Sequence, residues 1–301
     1  MDLEPSAAAL KQCKQSINKL MKKYDQTELT QPVFHYTSVR GACGILESKE
    51  FWMTKAIHLN DPSETRYGQQ WLIDYAGNYK SNGDSLEHFW SRLPMKLEAA
   101  KLATYVTSFS YAGSESKHHW QRYGADNEGV CLEFSPEIAV AFPDSIDSKG
   151  IVFTTKLLYG EDEVRPSQVN AIHQIESCIR QCIPTEVSML SQLDCNLMKS
   201  LAVEISILAR QLAALIKDPC YEPEDEFRIF YIGEEPEKKF SSGKKNEREH
   251  IKASLCWTEK SPLKKIWIGA NCNEPGEKSI REKLAPYLAA WDMPVIERLP
   301  K

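Results

Sequence analysis

The chain has 301 residues, 42% hydrophobic and 26% charged, with 14 Gly and 16 Pro. That excludes a mostly disordered, collagen-like or coiled-coil chain and leaves open one large domain with an insertion or two small ones. Lys and Arg total 37 against 42 Asp and Glu, a net charge of -5, so no general basic field argues for non-specific nucleic-acid binding.

Residues 5–24 place Leu10, Ile17, Leu20 and Met21 at helical spacing among lysines, which predicts an amphipathic N-terminal helix, an accessory spanning residues 1–30. From Pro32 the pattern reads strand, helix, strand: VFHYT, then SVRGACGILESKE opened by Ser38, then FWMT. In LNDPSETRYGQQWLIDYAG, Asp61 suits a cap, Pro62 the first helical position and Glu64 the third residue after the cap, so a helix is predicted to about Tyr79. A helix over Ser85–Leu102 and the strand ATYVTSFS follow, then a short helix around KHHWQRYG and the strands EGVCLEF and GIVFTTKLLYG. Residues 166–217 read as a two-helix insertion broken at Ile183-Pro184, with an apolar second half from Leu201 to Ile216. Strand texture resumes at DEFRIFYIG, HIKASLCW and LKKIWIG; a helix at KSIREKLAPYLAAW and a last strand at MPVIERL close the chain. The charged GEEPEKKFSSGKKNERE reads as an exposed hairpin loop.

Strands and helices alternate irregularly, so an α+β mixed sheet is expected, with residues 31–301 forming one domain around the insertion. No dinucleotide-binding or phosphate-loop glycine motif is present. The nine cysteines contain no Cys-x-x-Cys pair and several sit in apolar runs such as GVCLEF and ASLCWT, which reads as buried thiols in a reducing cytosol. With no leader-like start and no membrane-length apolar run, a soluble cytoplasmic protein is expected.

The sharpest local feature is Tyr221-Glu222-Pro223-Glu224-Asp225-Glu226-Phe227-Arg228-Ile229. If the strand begins near Glu224, alternation puts Glu224, Glu226 and Arg228 on one face. Two readings stand: a half-exposed strand whose polar face meets water, or a carboxylate pair lining a cleft, with Arg228 holding one acid ionised. His35 ends an apolar strand and reads as a packed core residue or a ligand. Ser108 and Ser110 share one face of a strand with Phe109 turned inward, while Trp120 and Tyr123, three apart, suit either a planar ligand or the core. Asp84 with His88, or His118-His119, can be imagined around a metal, but no metal-ligand spacing backs them.

Taken in order, HYTSVRGACGILESKEFWMT, LNDPSE, YVTSFS, W..YG, GVCLEF, EPEDEFRIF and KKIWIGA resemble a mainly bacterial domain-of-unknown-function family, DUF 2971, over about residues 33–270. That family is in turn similar to the ADP-ribosyltransferase fold, a split mixed sheet that cradles NAD. The resemblance implies an NAD-consuming enzyme that breaks the nicotinamide–ribose bond through an oxocarbenium-like state. The acceptor is water or an unidentified macromolecule, protein rather than nucleic acid. His35, with Tyr36 and Thr37, resembles the cofactor-binding histidine motif of the diphtheria-toxin and poly-ADP-ribose polymerase branch. Ser108-Phe109-Ser110 resembles the Ser-Thr-Ser strand of the arginine-modifying toxins, and Glu224-Asp225-Glu226 their Glu-x-Glu. Glu226 is thereby implied as the essential carboxylate and Glu224 as its assistant, with an aromatic wall from Tyr67, Trp120 or Tyr123. Asn60, Asp61 and Glu64 belong to the family motif and read either as a helix cap or as cleft residues that orient Arg228 or a substrate hydroxyl. The alternatives are a non-catalytic nucleotide or ADP-ribose binding module that signals to a protein partner, and an interaction protein presenting the apolar surface from Leu201 to Ile216.

Overall fold

In a computed structural model, the described residues are 29–59, 102–143, 150–159, 207–236, 240–241 and 248–300, with isolated positions in 11–22, 67–74 and at 177. Of the predicted N-terminal helix only positions in 11–22 are described, and these are helical; most of the helix from Asp61, residues 85–101 of the next predicted helix, whose last residue Leu102 instead begins a strand, and residues 166–206 apart from Ser177 lie outside the described set. Twelve strands are described: β1 (Val33–Thr37), β2 (Glu50–Lys55), β3 (Leu102–Ser110), β4 (Val130–Phe134), β5 (Gly150–Lys156), β6 (Leu158–Tyr159), β7 (Ile216–Lys217), β8 (Glu226–Glu234), β9 (Phe240–Ser241), β10 (Glu249–Ser254), β11 (Leu263–Ile268) and β12 (Val295–Arg298). The described α-helices are α1 (Val39–Ser48), α2 (Lys117–Arg122), a short α3 (Ile138–Ala141), residues 207–214, and α4 (Glu274–Leu288). The protein is thus α+β, built on a mostly antiparallel mixed sheet.

Strand β3 organises that sheet. Along one edge it pairs with β8 over its whole length, from Leu102↔Glu234 to Ser110↔Glu226, and β8 pairs in turn with β5. The other edge is shared. β2 takes Tyr105 and Val106 and β1 takes Ser110, so Thr107, Ser108 and Phe109 have no strand partner on that side among the described residues. The sheet therefore forks into two arms, β1–β4–β11–β12 and β2–β10–β9.

Alternation along β8 decides what each face meets. Phe227, Ile229 and Tyr231 point into the main core with Phe51, Phe109, Phe134 and Trp291. Phe230 and Ile232 point the other way, to a second cluster with Val106, Phe153 and Ala214. Helices α1 and α4 pack together over the main core, fastened where Trp291 Nε1 donates to Leu46 O at 2.8 Å. Ser38 caps α1 through the Gly41 amide, and Gly41 is needed there because a Cβ would collide with Thr37 Oγ1. Asn273 caps α4 by accepting from Gly276 N at 2.8 Å. Asn273→Ala should therefore cost about 1 kcal/mol in chemical denaturation, and Asn273→Gly only a few tenths; equal losses for the two would argue against the cap.

Three expectations are corrected. The helical stretch stops at residue 214: Ile216–Lys217 is a strand parallel to β6, with buried Ile216 paired to half-buried Leu158. β8 begins at Glu226, not near Glu224, since Pro219–Glu224 winds into a 3-10 helix and Asp225 turns left-handed with φ 39°. Cys256 is exposed although Cys131 is buried, because it lies just past the end of β10. Within the apolar stretch ending at Ile216, Leu208, Leu212, Leu215 and Ile216 are buried on the body, so its described part presents no surface to a partner. Among the described residues no helix is long and apolar enough to cross a membrane.

Candidate functional site

Where the arms part, a cleft of about 400 Å³ opens over the unpartnered stretch of β3. It gathers most of the sequence-predicted residues: His35, Tyr36 and Thr37 from β1, Ser108 and Ser110 from β3, Tyr123 beyond α2, Glu224 from the end of the 3-10 helix, and Glu226 and Arg228 from the start of β8. Residues from distant parts of the chain meet because β1 and β8 both flank the same end of β3.

The acidic pair is buried, so the half-exposed reading of this strand is overturned. Glu224 is 1% exposed, Glu226 7% and Arg228 4%. The group that makes this tolerable is Lys217, 2% exposed, which donates to Glu224 Oε2 at 2.5 Å and to Glu226 Oε2 at 2.7 Å. Arg228 Nη2 donates to the same Glu226 oxygen at 2.6 Å. Two anions and two cations thus balance out of water, as buried charges must. Tyr123 OH donates to Glu224 Oε1 at 2.9 Å, so both oxygens of Glu224 are engaged. Glu226 differs: both cations meet Oε2, and Oε1 has no protein donor among the described residues. Burial raises the Glu226 carboxyl, but the charges and hydrogen bonds of Arg228 and Lys217 outweigh it and hold the group at about 2. Glu226 is a fixed carboxylate, one oxygen of which is engaged by no donor among the described residues.

His35 completes the arrangement. Its Nδ1 donates to Ser108 O at 2.9 Å, a carbonyl on the part of β3 that the fork leaves without a strand. Burial lowers the pKa of the imidazole. The neutral ring therefore keeps Nε2 as an acceptor. Its ring packs against Phe51, near perpendicular, and Phe109, tilted, with centroids 5.1 and 5.5 Å away. A carboxylate oxygen, an imidazole acceptor and the Ser108 hydroxyl along one cleft suit a ligand rich in hydroxyl donors, such as a sugar.

The chain matches no known protein family, no curated protein and no solved structure.

Other expected site residues fall elsewhere. Trp120 is 2% exposed and does not line the cleft: its ring packs edge-on to Tyr36 and its Nε1 donates to Ser114 O, so the core reading holds. Tyr67 is helical beside Gly68, which packs against Ala213, and is not among the cleft residues described. Asn60, Asp61 and Glu64 lie outside the described residues. Tyr36 borders the cleft, but its hydroxyl donates to Gly113 O. Ser110 donates to Glu224 O at 3.0 Å and so holds the acidic turn in place. No group of three or more metal-ligating side chains forms among the described residues.

Sequence reasoning missed Lys217, Tyr159, Trp52 and Arg248. Tyr159 accepts from Glu226 N at 3.0 Å, and Trp52 and Arg248 line the cleft from β2 and the lead into β10. Only Lys217 had a signal: a lone lysine closing the apolar run LAALIK just before an acidic stretch.

The shifts fix an acid response. His35 is depressed when folded, so the unfolded chain takes its proton first and stability falls as pH drops below the ordinary histidine range. Glu226, lowered from 4.5 to about 2, adds a second loss between those two values, worth about 3 kcal/mol. Urea unfolding across a pH series should show both declines. His35→Asn, which retains a donor for Ser108 O, should flatten the upper one. Stability constant from neutral pH down to the acid range would refute this.

Proposed function

We propose that this protein is an ADP-ribosyltransferase-like enzyme that takes NAD as substrate and breaks the nicotinamide–ribose bond, releasing nicotinamide and passing the ADP-ribosyl group to water or to an unidentified, preferably protein, acceptor. The observation behind this reading is the ionised Glu226, its Oε1 engaged by no donor among the described residues, bordering the same cleft as His35 and Ser108. The ordered motifs that resemble the DUF 2971 family support it, and so does the forked sheet, which agrees with an ADP-ribosyltransferase-like split sheet. A cleft of about 400 Å³ falls within the range of small-ligand sites. Free thiols at all five described cysteines fit a reducing, cytoplasmic setting.

The chemistry asks for a group of this kind. As nicotinamide leaves, positive charge grows on the ribose, and a carboxylate already fixed beside the sugar stabilises charge that exists only near the transition state. Glu226 Oε1 is suited to accept from a ribose hydroxyl, His35 Nε2 and Ser108 to orient the rest, and Tyr123 to hold Glu224, which in turn holds Lys217. Incubation with NAD labelled in the nicotinamide ring is expected to release free nicotinamide, faster with a competent acceptor. No release above the blank with water and a range of protein acceptors would defeat the proposal. The binding-module reading draws on the charge balance around Glu226; intact NAD recovered after saturable binding would favour it.

A further inference from the structure

We propose that the wall of the cleft made by β2 and β10 is a second subsite, which takes the base and phosphate of a nucleoside diphosphate, Trp52 stacking on the base and Arg248 meeting the phosphate. The inference deepens the reading above and rests on it: it assigns the cleft a polarity, with the reacting ribose at Glu226 and the nucleoside diphosphate end along the opposite wall.

Trp52 is the unusual residue on that wall. Its neighbours Phe51 and Met53 are buried in the core, whereas Trp52, turned the other way by the strand, is 50% exposed and lines the cleft. A large aromatic left open in a concavity, rather than on a convex surface, presents a flat face for a planar ligand. Its ring is backed by His250, with centroids 5.5 Å apart, and Thr54 Oγ1 hydrogen-bonds His250 Nδ1 at 3.2 Å. The platform is therefore supported by the strand pair. Arg248, just ahead of β10, lines the same cleft and brings the fork of donors that suits phosphate oxygens.

Register sets the separation. β2 joins β3 at Thr54↔Val106, which sets Trp52 level with Ser108, about 7 Å along the strand from Ser110, where Glu226 pairs; β2 and β8 lie on opposite sides of β3, which adds about 10 Å across the sheet. One nucleoside cannot span both ends, but two joined through a pyrophosphate can.

Calorimetry of the full chain with ADP and with adenosine, beside Trp52→Ala and Arg248→Gln, tests this. Both side chains are exposed enough to change without opening the core. The wild type is expected to bind ADP; Trp52→Ala should weaken it about tenfold or more, the loss expected when a stacking face is removed, and Arg248→Gln should weaken ADP more than adenosine. No ADP binding, or equal ADP binding by all three proteins, overturns the subsite. Nicotinamide release on the same preparations separates the two proposals. ADP bound through Trp52 without any release keeps the subsite and sinks the enzyme, while release with Trp52→Ala binding ADP normally does the reverse.

Discussion

Glu226→Gln is expected to fold and to release nicotinamide from NAD at least about a hundredfold more slowly than the wild type, a loss near 3 kcal/mol of transition-state stabilisation. Glutamine has nearly the same shape, and its amide oxygen can take the place of Oε2, still accepting from Lys217 and Arg228. The amide nitrogen then occupies the Oε1 position. A neutral donor replaces a charged acceptor at the carboxylate oxygen that no donor among the described residues engages. Because only the charge that meets the developing cation changes, the effect should fall on turnover more than on NAD binding. Circular dichroism and calorimetry on the same sample verify folding and binding, and release at the wild-type rate by the folded variant would end the case for Glu226 as the catalytic carboxylate.

Lys217→Met should lower the free energy of unfolding by about 3–5 kcal/mol, since removing one member of a buried ion cluster leaves charge without compensation. Two carboxylates would then share one buried guanidinium, with Arg122 standing only at 3.6 Å from Glu224. Methionine fills much of the lysine's volume, so little of the loss is cavity. The discriminating measurement is a double change: Lys217→Met with Glu224→Gln removes one charge of each sign and should recover much of the stability, giving a coupling of about 1–3 kcal/mol. Additive losses, or a single-variant cost within about 0.5 kcal/mol of zero, would mean that the lysine is not what holds the acids in place.

Much of the sheet was legible from alternation alone. The two faces of β8 follow from period two, with Glu226 and Arg228 on one and Phe227 and Ile229 on the other, and the nine predicted strand segments fall on observed strands, all but β12 carrying a buried apolar set. Spacing could not show the burial of the acids. An Glu-x-Glu-x-Arg strand has the same pattern in water as in a cleft, and what decides is Lys217, which approaches from a different element. Nor did pattern show that Glu224 leaves the strand, since the left-handed turn at Asp225 uses a residue common in many conformations. Trp120 and Tyr123, three apart, were equal candidates as text. In space one is walled into the core and the other reaches Glu224, a difference of rotation that depends on how the short α2 sits against β1.

The forked strand also dictates a timetable. β3 is made early, yet the edge that completes it comes from β8, and the Ser110 contact to the acidic turn spans 114 residues. The tie from Trp291 back to Leu46 spans 245. Such distant partners raise the entropic barrier to folding and slow it. A chain emerging from the ribosome must therefore keep β3 soluble without its long neighbour, and can seal its interior only after the C-terminal tryptophan has been synthesised.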